Sequence, residues 1–117
     1  MNNTNYNLIK LEKLDKSWEN TLSAGWTTSY GWQLGLNIQD ITLLTGAFML
    51  AKEANSLGIN TPSYIVDADG VSHEIDLTNL TNLMLQYGQA RSLLSQEYAN
   101  KKSLIKEASS IPELDSI

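Results

Sequence analysis

Tyr64–Ile75 reads Y-I-V-D-A-D-G-V-S-H-E-I, and it decides the fold because it runs without a break into a Leu-rich stretch that ends near Ala108. Asp69-Gly70 lies between two β-branched or aromatic runs, the strongest short-range signal for a hairpin. From Leu77 the apolar period changes from two to helical, with Leu80, Leu83, Tyr87, Ala90, Leu94 and Tyr98 falling three or four apart on one stripe. The chain therefore turns a corner from strand to helix here, and the remaining segments are expected to pack against this unit.

Upstream, Trp26–Asn37 (W-T-T-S-Y-G-W-Q-L-G-L-N) is rich in aromatic and β-branched residues around Tyr30-Gly31, which predicts a second hairpin. A two-residue loop would set Ser29 opposite Trp32 and Trp26 opposite Gly35. Trp32, Leu34 and Leu36 would then face the core, with Trp26 on the other side. Asp40 is placed to cap a helix from Ile41 to about Leu57. That segment carries two apolar stripes, Ile41/Leu44/Phe48/Ala51 and Leu43/Ala47/Leu50/Ala54, so it is expected to be the buried central helix. Gly58 and Pro62 end it.

Toward the N-terminus, Leu11, Leu14, Trp18 and Leu22 recur at helical spacing and Gly25 closes that helix, while residues 1–9 are polar and are expected to be a flexible segment. The last helix is predicted over about 78–109, roughly 48 Å if straight, against a radius of gyration of about 13 Å for a compact domain of this size. It should therefore project, and its apolar stripe should need a cover, for which the N-terminal helix or copies of this helix from other subunits are the candidates. The expected architecture is α+β, a single domain over 10–117: a small antiparallel sheet of two hairpins on the central helix, with an N-terminal helix and the long C-terminal one.

At 117 residues without a cysteine, the chain must hold together by packing alone, and disulfides, thiolate metal sites and cysteine nucleophiles are excluded. Eight basic residues against 13 acids leave a net charge of -5, which repels phosphate backbones and anionic lipid, so neither nucleic acid nor membrane is an expected partner. No apolar run approaches the roughly 20 residues of a membrane span, and the first residues lack the pattern of a secretory signal, so the protein is expected to be soluble and unexported.

The sequence offers few groups for chemistry. His73 is the sole histidine and shares a face with Val71 and Ile75; without a nucleophile or further ligands it reads as a strand residue at the edge of the core. Asp67-Ala68-Asp69-Gly70 has the carboxylates of half a calcium loop, but the spacing and the distal Glu are missing, and the same residues suit a turn. Trp26, Tyr30 and Trp32 could stack on sugar rings, with Trp26 and Tyr30 the candidate glycan contacts, or serve as ordinary strand and core residues. Lys101, Lys102 and Lys106 suit a helix C-terminus. Phosphate-loop, dinucleotide and nucleophile-elbow motifs are absent. The expectation is a protein that is not an enzyme and takes no cofactor or metal. Its candidate interface is the terminal apolar stripe: Leu11, Leu14, Trp18, Leu94, Tyr98, Leu104, Ile105 and Ala108.

Several segments carry a resemblance. They are the helix end S-A-G-W (Ser23–Trp26), the strand pair through Tyr30, Gly31 and Gln33, the Asp40-started helix and the D-A-D-G hairpin before Leu77. The ending L-I-K-E-A-S-S-I-P-E-L-D-S-I (Leu104–Ile117) carries it most. With these the chain resembles an uncharacterised domain family found mostly at the C-terminal ends of bacteriophage and prophage tail fibre and tail-associated proteins. Pro112 departs from the small or polar residue usual there. The resemblance implies a structural component of a phage tail, made in the host cytoplasm and located in the virion, that docks on other fibre or baseplate proteins, with a homotrimer suggested by analogy. The alternatives are a tail-fibre assembly chaperone and a carbohydrate-binding module. The family supplies no catalytic residues.

Overall fold

Backbone hydrogen bonding in the computed structural model, which describes residues 3–117, gives eight elements in chain order. They are α1 (Asn3–Ala24), β1 (Trp26–Thr27), β2 (Gln33–Leu34), α2 (Ile38–Ser56), β3 (Ser63–Val66), β4 (Ser72–Ile75), α3 (Leu77–Glu107) and α4 (Ile111–Asp115). The class is α+β with a long C-terminal helix. The two hairpins form two separate two-stranded sheets, not one.

The hairpins close alike. Asp67 N–H donates to the Val71 carbonyl at 2.8 Å and Gly70 N–H to the Asp67 carbonyl at 3.0 Å; Thr28 N–H donates to Trp32 and Gly31 N–H to Thr28 at 2.9 and 3.0 Å. Each loop thus has three residues, with Gly31 (φ 93°) or Gly70 (φ 83°) in the left-handed region that this loop type requires. The third loop residue shifts the first hairpin one place from the expected register. Trp26 pairs with Leu34 and Thr27 with Gln33. Cross-strand partners share a face, so Trp26 lies on the core side with Leu34, and its ring meets Tyr87 edge-on at 5.5 Å and 84°. A hydrogen bond from Ala68 N–H to the Gln33 carbonyl (2.8 Å) ties one hairpin to the other.

The chain divides into two compact units, Leu22–Arg91 and Met1–Thr21 with Ser92–Ile117. In the first, the hairpin unit, Leu34, Leu36, Leu44, Ile65, Ile75, Leu80, Leu83 and Tyr87 are buried. Strand alternation supplies Ile65 and Ile75, and the helical stripe of α3 supplies Leu80, Leu83 and Tyr87. Asp76 begins α3 by accepting from Asn79 N–H at 2.8 Å.

Helix α2 departs most from expectation. It starts at Ile38 with Asn37 as its N-cap, and Asp40 acts from the third helical position, its carboxylate accepting from Asn37 N–H at 3.0 Å. It is also not a buried central helix, since Leu44 is its one buried residue. Two hairpins of two and four residues per strand offer too little apolar surface to cover both stripes.

The second, terminal unit is built by α1, the C-terminal part of α3 and α4. Ile105, Ala108 and Leu114 form its buried centre, with Tyr6, Leu11, Leu14 and Ile117 packed against them. Residues Asn3 to Ile9 are helical where a flexible segment was expected; Met1 and Asn2 of that segment lie outside the described residues. Asn7 supplies the reason, because its side-chain amide donates to the Ile105 carbonyl at 3.1 Å, one of the acceptors left open where α3 ends. Pro112 sits in the first turn of α4, and Ser110 caps it by accepting from Glu113 N–H at 3.3 Å.

Candidate functional site

Asp67 organises one side of the hairpin unit. One carboxylate oxygen accepts from the backbone N–H groups of Asp69 (2.8 Å) and Val71 (3.0 Å), and the other lies 2.7 Å from His73 Nε2. Three of its acceptor sites are thus used inside the turn, and among the described residues no group of three acids or histidines that could hold a metal includes Asp67 and Asp69, so the D-A-D-G segment is a turn and not half a cation loop. The His73 hydrogen bond, followed by that from Val71, holds the Asp67 carboxyl below the ordinary carboxylate range.

His73 in turn carries an aromatic column. Trp32 stacks on it at 4.3 Å and 7°, and Tyr30 stacks on Trp32 at 5.9 Å and 20°. The Tyr30 hydroxyl donates to the Asn79 carbonyl at 3.2 Å, and Gln86 grips the loop through Ser29, accepting from its N–H (3.1 Å) and donating to its hydroxyl (2.8 Å). The column borders an open groove of about 550 Å³ whose rim includes Glu74, Asp76 and Asn79. No basic residue other than His73 lines it. Of the two candidate glycan contacts, Tyr30 is in this groove and Trp26 is not. Sequence reasoning missed the pairing of His73 with Asp67 and Trp32. The alternation of β4 placed His73 on a face, but nothing local tells that a different hairpin supplies its stacking partner.

The opposite chemistry occurs on α2 and β3. Leu43, Leu50 and Leu57 are 73, 75 and 69 % exposed, and Tyr64 and Val66 of β3 are 62 and 60 % exposed. Between them runs an apolar trough of about 400 Å³, floored by Ala47, Ala51 and Ala54 and walled by Leu50, Pro62 and Tyr64. A smaller pocket of about 190 Å³ adjoins it past Tyr64, lined by Leu43, Leu44, Val66 and Tyr87. Burial keeps the Tyr87 phenol protonated to higher pH than usual, with the Asp40 carboxylate adding to the effect.

The eight residues expected to form the interface are mostly consumed inside the terminal unit. Ile105 and Ala108 are buried. Leu11, Leu14, Trp18, Leu94 and Tyr98 are half-buried, and Leu104 is the exposed one. Trp18 and Tyr98 stack at 4.8 Å, and the Tyr98 hydroxyl donates to Asp15, which raises its pKa. The N-terminal helix, one of the two covers expected for this stripe, packs on it: Leu11 and Leu14 of α1 lie against the centre formed by Ile105, Ala108 and Leu114. Among the described residues, no three acids or histidines gather to hold a metal, and no helix is long and apolar enough to cross a membrane.

No family model, curated protein or solved structure matches this chain.

Proposed function

We propose that this chain is a structural component of a bacteriophage tail, fibre- or baseplate-associated, that works by protein–protein contact and performs no catalysis. The phage-tail assignment rests on the resemblance carried by Ser23–Trp26, the D-A-D-G hairpin and Leu104–Ile117. The observation that supports contact as the mode of action is the apolar face of α2 and β3. Three leucines, a tyrosine and a valine stay largely in water on one side of a small protein. Isolated apolar residues need no explanation, but a contiguous patch beside a trough is the mark of a binding surface.

The test is incorporation. Mass spectrometry of purified virions should find the chain, and Leu50→Glu should lower its copy number at least tenfold while the free variant keeps its circular dichroism spectrum. Absence of the wild-type chain from virions would replace this reading with that of an assembly chaperone.

A second reading, carbohydrate binding, is favoured by one specific feature, the Tyr30–Trp32–His73 column beside the groove with Glu74, Asp76 and Asn79 on its rim. Aromatic faces stack on the apolar faces of sugars while carboxylates and amides take hydroxyl protons. Host surface polysaccharide should quench or shift the fluorescence of Trp32, and Tyr30→Ala should abolish that response. An unchanged spectrum at millimolar saccharide would discard this reading.

A further inference from the structure

Resting on the reading of α2 as a contact face, we infer that the partner seated on it is a second copy of this chain, with the two α2 helices antiparallel about a two-fold axis. The inference comes from what alternates along the face. Leu43, Ala47, Leu50, Ala54 and Leu57 are spaced four, three, four and three residues apart, the seam of a coiled coil, with leucine and alanine in strict alternation. The leucines form an exposed ridge, and the alanines form the floor of the trough beside it.

Knob and hole are therefore on the same helix, in the same surface, at the same repeat. A surface that carries both is complementary to itself, which is the condition for an isologous pair. With the helices antiparallel, Leu50 of each copy lies over Ala47 of the other and Leu43 over Ala54, so each of these layers joins one large and one small side chain, while Leu57, at the C-cap, falls opposite Asp40 at the end of the seam. A parallel arrangement would instead stack leucine on leucine and leave gaps at the alanines.

Size and charge agree with this occupant. Leu43, Leu50, Leu57, Tyr64 and Val66, each 60–75 % exposed, supply the apolar surface that such a pair would bury. Glu53 borders the face and comes opposite Gly46 of the second copy, so the net charge of -5 sets no like charges against each other at the seam. Gly46 itself has open space where a side chain would stand. Glycine in the middle of an exposed helix costs stability relative to alanine, and close approach of a second backbone is what would reward it.

The experiment is light scattering on the full chain over micromolar to millimolar concentration, with Leu50→Glu and Gly46→Gln alongside. The wild type should approach twice the 13.0 kDa of one chain, and both variants should stay at 13.0 kDa with unchanged circular dichroism. Gly46→Gln is the sharper probe, because a Cβ there has open space and glutamine improves helix propensity, so the variant keeps the helix while crowding the approach of a second backbone. A wild type at one or three chain masses, or variants that still pair, overturns the inference. The result also separates the two readings: a monomeric wild type whose virion incorporation is lost in Leu50→Glu leaves the tail role standing without the pair. A pairing chain absent from virions leaves the pair standing without the tail role.

Discussion

Asp67 and Gly25 show how single residues hold local geometry that no apolar pattern could. Asp67 is nearly buried and ties two backbone amides and His73 together, and its carboxyl titrates below the ordinary range. A depressed folded pKa adds stability above the unfolded value, about 4, and that contribution is lost as pH falls through the lower folded value. Urea unfolding should therefore show stability falling below about pH 4 in the wild type. In Asp67→Asn it should start lower and lose this part of its acid dependence. Gly25 has φ 76°, and a Cβ there would meet the Leu34 carbonyl oxygen at 1.9 Å. Gly25→Ala combines backbone strain with a clash against backbone, and chemical denaturation should register a loss of about 2–4 kcal/mol.

At the scale of elements, burial separates α2 from α3. Leu80 and Leu83 are fully buried on α3, so truncating either to alanine should cost about 2–5 kcal/mol of unfolding free energy. Leu43→Ala and Leu50→Ala on α2 should change the stability of the single chain by less than about 0.5 kcal/mol, because those side chains are already mostly in water. Urea titrations at low micromolar concentration check both. Equal costs at the two helices would contradict the burial described. The hairpins teach a related lesson. Asp69-Gly70 and Tyr30-Gly31 announced turns correctly, yet the register of the first hairpin was read from a two-residue loop where Ser29, Tyr30 and Gly31 make three. Thr28 and Asp67, just before each loop, accept from the backbone N–H of Tyr30 and Asp69 through their side chains, and that short-range signal marks where the loop begins. The miss moved Trp26 to the wrong face, and with it one of the two glycan candidates.

For the molecule as a whole, two compact units predict non-uniform protection. Ile105→Ala opens the small core of Ile105, Ala108 and Leu114. Hydrogen exchange should then speed up over the terminal segments, Met1–Thr21 and Ser92–Ile117, while amides of Leu22–Arg91 keep their protection. Uniform loss across the chain would argue for one cooperative body instead.

What the sequence by itself determined is local. Three helices and two hairpins follow from period, caps and turn residues, each an interaction between groups no more than about five residues apart, and the α+β class follows from their order. The Ser110-Ile-Pro-Glu113 cap was equally legible in principle, though the segment was read there as a break. Only the tertiary structure decided which apolar stripes are covered, because that depends on how much surface distant segments can supply. On the terminal stripe, Ile105 and Ala108 are buried with Leu114 of α4, and Leu11 and Leu14 of α1 pack against them, while Leu104 stays exposed. The second stripe of α2, expected to be buried, stays in water because two short hairpins cannot reach it. The column of Tyr30, Trp32 and His73 is of the same kind: its rings come from two hairpins some forty residues apart in the chain, and no sequence period relates them.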